Sequence, residues 1–358
     1  MHITTSKTKR ILFAPVLKAA GWLTPRCPEF MAKARYYSRF HKELDLNNPQ
    51  DLNEKILWLS INSDTREWSR LADKYLVREY IHECGLDDIL VPFYGVWDKA
   101  EEIDFDKLPQ SFIIKSTNGS CSNIVIRDKS KISREQFVGM VKGIEDKKVL
   151  ITGVGDLHYM RNKSRIIAEG LLTNDEVSAK YSETLIDYKI WCLNGRAEYI
   201  WVCMNRFVHN KDGAEVLTYD RDWNPHPEYS VWSNDFSQAQ PMPRPANFDG
   251  MLAAAERLCK GFPVVRCDLY NLNGKVYFGE MTFTSLGGMM DFYTPEFLKI
   301  CGDKIDLSGI STQGKWSMAA LKQAKVADIE TVTCEGGGKW LTTSRLCDNE
   351  SAEYQLAA

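Results

Sequence analysis

The sequence predicts an α+β chain, and three observations carry that reading. Residues 266 to 282 alternate apolar and polar side chains around Asn273-Gly274, a strong short-range signal for a β-hairpin. A second hairpin reads over Asn194-Gly195, joining Tyr188 to Leu193 with Ala197 to Met204. Apolar residues recur at helical spacing over Asn47 to Cys84, Arg134 to Glu145 and Phe248 to Lys260, so helices share the chain with sheets whose last strands look antiparallel.

In chain order, Ile11 to Leu23 is apolar but interrupted by Pro15 and Lys18, and it is too short to span a bilayer. It reads as an N-terminal helix; Lys7, Lys9 and Arg10 ahead of it make peripheral attachment to a membrane surface the alternative. After Asn48-Pro49, one helix carries Leu52, Ile56, Leu57 and Leu59, and a second carries Leu71, Tyr75, Leu76 and Tyr80. Strands are expected at Tyr94 to Trp97, Phe112 to Lys115, Ile124 to Ile126 and Arg165 to Glu169. Residues Pro225 to Pro245, rich in Pro, Ser, Asn and aromatics, read as an irregular insertion, within a wider loop region from Val208 to Asn247. From Thr312 the pattern weakens into a tail.

At 358 residues and 44% apolar content, the chain can build two or three lobes. A formal net charge of -3 provides no global attraction for nucleic acid, leaving local basic patches around Arg66 to Arg78 and Arg161 to Arg165. Ten cysteines without a C-x-x-C pair, and no N-terminal cleavable apolar run, read as reduced cytosolic thiols. The six histidines stand apart from one another at no metal spacing, so His158, His209 and His226 are not read as zinc ligands.

Two features point to chemistry. Asp268 and Glu280 fall on paired strands, where facing acids repel unless a cation neutralises them, and hard oxygen donors suit Mg²⁺ carrying substrate phosphates. Lys115 is followed by the small-residue run Ser116, Thr117, Asn118, Gly119, Ser120, Cys121, Ser122, Asn123, whose backbone N–H groups can wrap an anion. Three other strings fail. Gly153-Val154-Gly155 lacks the third glycine of a dinucleotide fingerprint; Glu335-Gly336-Gly337-Gly338-Lys339 lacks the strand and spacing of a phosphate loop; and Asp104-x-Asp106 lies in an acidic link that reads as a solvated turn.

The order Lys74, Lys115 with its loop, Glu169, Asp187-Tyr188-Lys189, Arg206, Asp268 and Glu280-x-Thr282 resembles an ATP-grasp enzyme. Asn53-Glu54-Lys55-Ile56-Leu57-Trp58, Asp73-Lys74-Tyr75, Gly95-Val96-Trp97-Asp98, Asp104 to Pro109 and Val265 to Tyr270 are similar to the TupA-like, teichuronopeptide-biosynthesis branch of that superfamily, over roughly residues 40 to 300. The resemblance implies an ATP-grasp fold: two α+β lobes holding ATP between them, behind an N-terminal helical segment. The implied divisions are 1–45 (N-terminal segment), 46–110 (N-terminal part), 111–172 (small lobe with the phosphate flap), 173–305 (C-terminal lobe with the metal site) and 306–358 (tail).

By the same resemblance Lys74 and Lys115 contact the α and β phosphates, and the Gly119 flap, with Ser116, Asn118, Ser120, Ser122 and Asn123, covers them. Glu169, Gly170 and Leu171 form the hinge at the adenine, with Ile167 and Leu171 over its faces, and Glu176 is the ribose partner. Asp268, Glu280 and Thr282 hold Mg²⁺; Thr282 departs from the Asn of many such enzymes. Lys189, Arg206 and Arg266 neutralise the γ-phosphate and an acyl phosphate, with a salt bridge to a nearby acid as the other reading of Arg266. The implied activity is ATP-dependent amide formation in cell-surface polysaccharide assembly. Its partners are a carboxylate and an amine, an amino acid or peptide unit and a uronic-acid or amino-sugar unit, with no nucleic acid, in the cytoplasm or at the inner face of the membrane. The rivals are a glycosyltransferase and a non-catalytic nucleotide- or polysaccharide-binding module.

Overall fold

The computed structural model describes residues 18–118, 123–145, 153–208, 213–233, 235–323, 328–333 and 339–345. Gly119, Ser120 and Ser122 of the flap, His209, and the Gly336 to Gly338 run lie outside the described residues.

Helix α1 (Pro28–Phe40) buries Met31, Ala32 and Tyr36 against Leu57, Ile61, Val154, Leu157 and Trp316. Helix α2 (Leu52–Asn62) starts at a capping box, in which the Asp51 side chain accepts from the Glu54 N–H and Glu54 reaches back to the Asp51 N–H.

The single helix expected over Leu71 to Tyr80 is instead two, α3 (Arg66–Ala72) and α4 (Val77–Glu83). Asp73 breaks it by taking an extended conformation, with Oδ1 accepting from Tyr75 N and Leu76 N. Released from the helix, the Lys74 N–H donates to Thr117 O at 3.1 Å, so Lys74 sits beside the root of the flap.

The small lobe is a four-stranded antiparallel sheet, order β1-β4-β2-β3, of β1 (Phe93–Trp97), β2 (Phe112–Ser116), β3 (Asn123–Ile126) and β4 (Ile166–Glu169). Phe112, Ile114, Ile126, Ile166 and Ala168 bury one face beneath α5 (Arg134–Glu145) through Phe137 and Val141. Directly opposed residues share a face, so the other face carries Ile113, Lys115, Asn123, Val125, Ile167 and Glu169.

The large lobe is a six-stranded sheet, order β10-β9-β5-β6-β7-β8: β5 (Asp187–Leu193), β6 (Arg196–Met204), β7 (Ala214–Asp220), β8 (Phe236–Gln238), β9 (Val264–Leu272) and β10 (Lys275–Thr282). β7 and β8 fall inside the region read as irregular loops, which corrects that expectation. Both predicted hairpins form, with Asn194, Gly195, Asn273 and Gly274 at positive φ as type I′ turns require. Tyr188, Ile190, Cys267, Leu269, Ile200 and Val202 line the apolar face and share one core with α6 (Phe248–Leu258).

Beyond the sheets come α7 (Pro295–Asp303), α8 (Met318–Gln323) and a hairpin of β11 (Asp328–Thr333) and β12 (Lys339–Arg345). Within the tail, Trp316 is buried and its Nε1 donates to Pro25 O at 3.0 Å, tying the segment to the N-terminal helices. Acids pair with most of the expected basic patches: Arg66 with Asp64, Arg70 with Glu67 and Glu83, Arg78 with Glu169, and Lys163 and Arg165 with Asp98, while buried Arg161 donates to the Thr65 and Ser69 hydroxyls. No described helix is long and apolar enough to cross a membrane.

Candidate active site

On the large sheet, cross-strand pairing sets Glu280, Asp268, Lys189, Trp201 and Thr218 in one row across β10, β9, β5, β6 and β7, all on the face away from α6. A plain two-residue hairpin at Asn273-Gly274 does not produce this row. Counting outward from Leu272 and Lys275, Asp268 would oppose Gly279 and Glu280 would point to the apolar face. A β-bulge between Phe278 and Glu280 inserts Gly279, shifts the phase by one residue and turns Glu280 onto the face of Asp268. Glycine fits there because a Cβ at 279 would lie 2.8 Å from Asp268 O and 3.2 Å from the Tyr270 ring.

Asp268 is buried and doubly paired. Arg266 Nε donates to Oδ1 at 2.7 Å; Arg266 Nη2 and Lys189 Nζ donate to Oδ2 at 2.8 and 2.5 Å. Burial pushes this carboxyl up, and Arg266 with Lys189 overcome it, holding Asp268 below the usual carboxylate range. Arg266 also donates to Ser285 Oγ and Thr282 Oγ1 and lies 3.7 Å from Glu280, so it makes salt bridges to both acids of the pair. Glu280 keeps 44% of its side chain exposed and accepts from Thr282 Oγ1 at 3.3 Å. Arg206 pairs with Asp187, which lies 3.6 Å from Lys189 Nζ, so the three predicted cations form one network with Asp187, Asp268 and Glu280. Burial opposes the charge on Arg206, yet Asp187 raises its pKa overall.

Lys189 and Arg266 therefore supply the neutralising charge that the acid pair was expected to draw from a metal. Among the described residues no group of three His, Cys, Asp or Glu is arranged to hold an ion. The donor chemistry nonetheless fits Mg²⁺ shared with phosphates: Glu280 offers an accessible carboxylate beside the Thr282 hydroxyl and the Asp268 carboxylate.

A cavity of about 520 Å³ opens where the polar faces of the two sheets meet, with Ile113, Lys115, Asn123 and Val125 on the small-lobe side and Tyr270 on the large-lobe side. Gly170 and Leu171 of the predicted hinge line it; the Gly170 N–H donates to Pro92 O at 2.8 Å. A Cβ at 170 would meet the Pro92 ring at 3.3 Å. Ile167 lies on the same sheet face but is fully buried. Glu169 is held between Arg78 Nη1 at 3.0 Å and Lys115 Nζ at 2.9 Å, which fixes Lys115 at the cavity wall. Ser116 and Asn118 turn inward: Ser116 Oγ meets Ser164 Oγ, and Asn118 Nδ2 donates to Tyr159 O. Glu176 is exposed and outside the cavity lining, and its neighbour Asp175 accepts from Ser178 N and Asn273 N. Asp104 is exposed and paired with Lys107 at 3.0 Å, as a solvated turn should be.

Asp187, Arg78, Tyr270, Trp201 and Thr218 were missed from the sequence as site residues. Asp187 had a readable signal, since it lies two residues from Lys189 on one strand and so shares its face. Trp201 Nε1 and Thr218 Oγ1 are buried without hydrogen-bond partners at the far end of the row, and only the sheet register reveals them.

A model of the TupA-like ATP-grasp family matches residues 54–306. Among solved structures, the D-alanine–D-alanine ligase of Bacillus anthracis is similar at 14% identity and TM-score 0.41, covering 68% of this chain and 69% of that one. The enzyme of the same name from Helicobacter pylori is similar at 13% identity and TM-score 0.38, covering 72% and 68%. The Bacillus anthracis ligase complexed with ATP shows 12% identity and TM-score 0.36 over 62% of this chain, which spans 56% of that chain's length. No curated protein matches.

Proposed function

The chain belongs to the TupA-like ATP-grasp family, and on that premise we propose that it is an ATP-dependent carboxylate–amine ligase that forms an amide through an acyl phosphate and releases ADP and phosphate. The observation that carries this reading is the buried Lys189–Asp268–Arg266 cluster with accessible Glu280 beside it, joined to the hinge cavity through the β9 strand that also presents Tyr270. Phosphoryl transfer asks little covalent chemistry of a protein and a great deal of fixed positive charge, which Lys189, Arg206 and Arg266 provide together.

In this reading the adenine lies against Leu171, Val125 and Ile113, and Lys115 contacts the phosphates from the cavity wall. Mg²⁺ held by Glu280, Asp268 and Thr282 would neutralise phosphate charge when bound. An oxygen of the substrate carboxylate attacks the γ-phosphorus and ADP leaves. The amine nitrogen then attacks the acyl carbon, the C–O bond to phosphate breaks, and the ammonium proton is lost to solvent as the amide forms. Lys189 is held at 2.5 Å by Asp268, which fixes its ammonium group on the same sheet face as Glu280. Arg206 is oriented by Asp187 in the same way.

As donor and acceptor we propose an amino-acid or peptide unit and a uronic-acid or amino-sugar unit of a surface polysaccharide or teichuronopeptide, by extension from the family's name. The test is to incubate the protein with Mg-ATP, candidate amino acids and uronic-acid saccharides, following ADP and the product masses. ADP released only when both partners are present supports the ligase. Release of a nucleoside diphosphate from a nucleotide sugar instead, with a glycoside product, would favour the glycosyltransferase.

A further inference from the structure

We propose that residues 18–42 form a docking face for an anionic lipid bilayer, on which the protein lies without crossing it. This stands apart from the ligase reading and requires no activity. The first 42 residues hold nine Lys and Arg against one acid, Glu29, in a chain whose net charge is -3, so a basic end is joined to a net negative body.

Residues 18–42 carry six of these cations, and exposed aromatics stand among them. Phe30 is 66% exposed, the most of any large apolar side chain among the described residues, with Tyr37 at 58% and Trp22 at 51%. Phe30, Lys33, Ala34 and Tyr37 recur at helical spacing on α1, opposite the Met31, Ala32 and Tyr36 face that packs on Leu57, Val154 and Trp316. The inner face of α1 is thus committed to the core, and its aromatic outer face is not. The Arg26 guanidinium lies 4.3 Å over the Trp22 ring, holding a cation and an indole together. Glu29, the one acid within residues 18–42, pairs with Lys33 at 2.7 Å, Arg39 pairs with Asp291 of the body, and Glu43 and Asp45 border the face beside Lys33 and Tyr37. Lys18, Arg26 and Lys42 add to the surface charge, although Lys42 also reaches Glu54.

Rings with one wet edge interleaved with Lys and Arg suit the headgroup layer of a bilayer. A 13-residue helix is too short to span the hydrocarbon, which fixes the mode as lying on the surface. Nucleic acid fits less well, since the rest of the molecule repels it. The family match begins at residue 54, so this module stands outside the matched core.

The test is co-sedimentation of the full chain with vesicles of phosphatidylcholine alone and of phosphatidylcholine mixed with phosphatidylglycerol. Binding is expected to the mixed vesicles only, falling steeply with salt. Arg26→Glu with Lys33→Glu should weaken it by about fivefold for each charge removed. Phe30→Ser with Tyr37→Ser should weaken it about tenfold while leaving thermal unfolding and ATP turnover without vesicles unchanged. A wild-type chain that stays in the supernatant with mixed vesicles, or binds both kinds equally, overturns the proposal whatever the variants do. A concentration-dependent dimer lost in the Phe30 and Tyr37 variant would overturn it in favour of a second copy of the chain.

Discussion

Replacing Asp268 and Glu280 one at a time should separate stability from catalysis, because the two acids share a row but not an environment. Asp268 is 2% exposed and accepts three charged hydrogen bonds, from Arg266 twice and Lys189 once. Asp268→Asn keeps the shape and one acceptor oxygen but leaves two buried cations without their shared anion. Breaking a buried pair typically costs 3–5 kcal/mol; the retained oxygen and neighbouring Asp187 put this loss near the lower end, about 3 kcal/mol. Glu280 is 44% exposed and 3.7 Å from Arg266, an interaction worth less than about 1 kcal/mol, so Glu280→Gln should unfold almost like the parent. Both variants should lose about a hundredfold in ATP turnover, since each removes charge from a preorganised site. Urea unfolding at pH 7 and coupled ADP release measure the two effects. Adding Lys189→Met to Asp268→Asn should cost less than the sum of the single changes by about 1 kcal/mol or more. Equal unfolding midpoints for the two single variants would refute the assigned Lys189–Asp268–Arg266 energetics, and undiminished turnover in both would refute the site.

Gly279→Ala should disturb the bulge, since its Cβ would press on Asp268 O at 2.8 Å; a cost of about 1–3 kcal/mol and reduced turnover are expected by unfolding and ADP assays. Glu169→Gln should loosen both Arg78 and Lys115, costing about 2–3 kcal/mol and raising KM for ATP more than it lowers kcat. His158 lies buried among Trp68, Tyr159 and Phe283, and burial, helped by Arg161, pulls its pKa down to about 3 against the bond to Gly155 O. A depressed folded pKa contributes stability that is fully present above pH 6.5 and lost as pH falls toward 3. His158→Phe should therefore flatten that acid-side loss by roughly 3–5 kcal/mol in unfolding curves taken across the window.

What was legible in the sequence was local. Asn194-Gly195 and Asn273-Gly274 announce their hairpins because both residues of such a turn need positive φ, and both pairs adopt it. Of the residues read in order, Lys189, Asp268 and Glu280 do fall side by side on adjacent strands of the large sheet, while Lys115 lies on the small sheet at the cavity wall. Asp73 was illegible as a helix breaker, because its capping of Tyr75 and Leu76 competes with a good apolar helical period. The role of Gly279 was hidden for a similar reason: strict alternation from the turn puts Glu280 on the wrong face, and only the bulge reverses it. Strand β7, Ala214–Asp220, was lost beside a Pro-rich stretch, and with it the pairing that aligns Trp201 and Thr218 with Lys189. Those contacts depend on sheet register between distant segments, which no local window carries.

The most direct test of the proposed chemistry places ¹⁸O in the carboxylate of the substrate and follows it through a single turnover with Mg-ATP and the amine. If the carboxylate is activated as an acyl phosphate, the oxygen that attacked the γ-phosphorus leaves with it, so one label should appear in inorganic phosphate alongside unlabelled ADP. Label retained only in the amide, or AMP and pyrophosphate in place of ADP and phosphate, would contradict it.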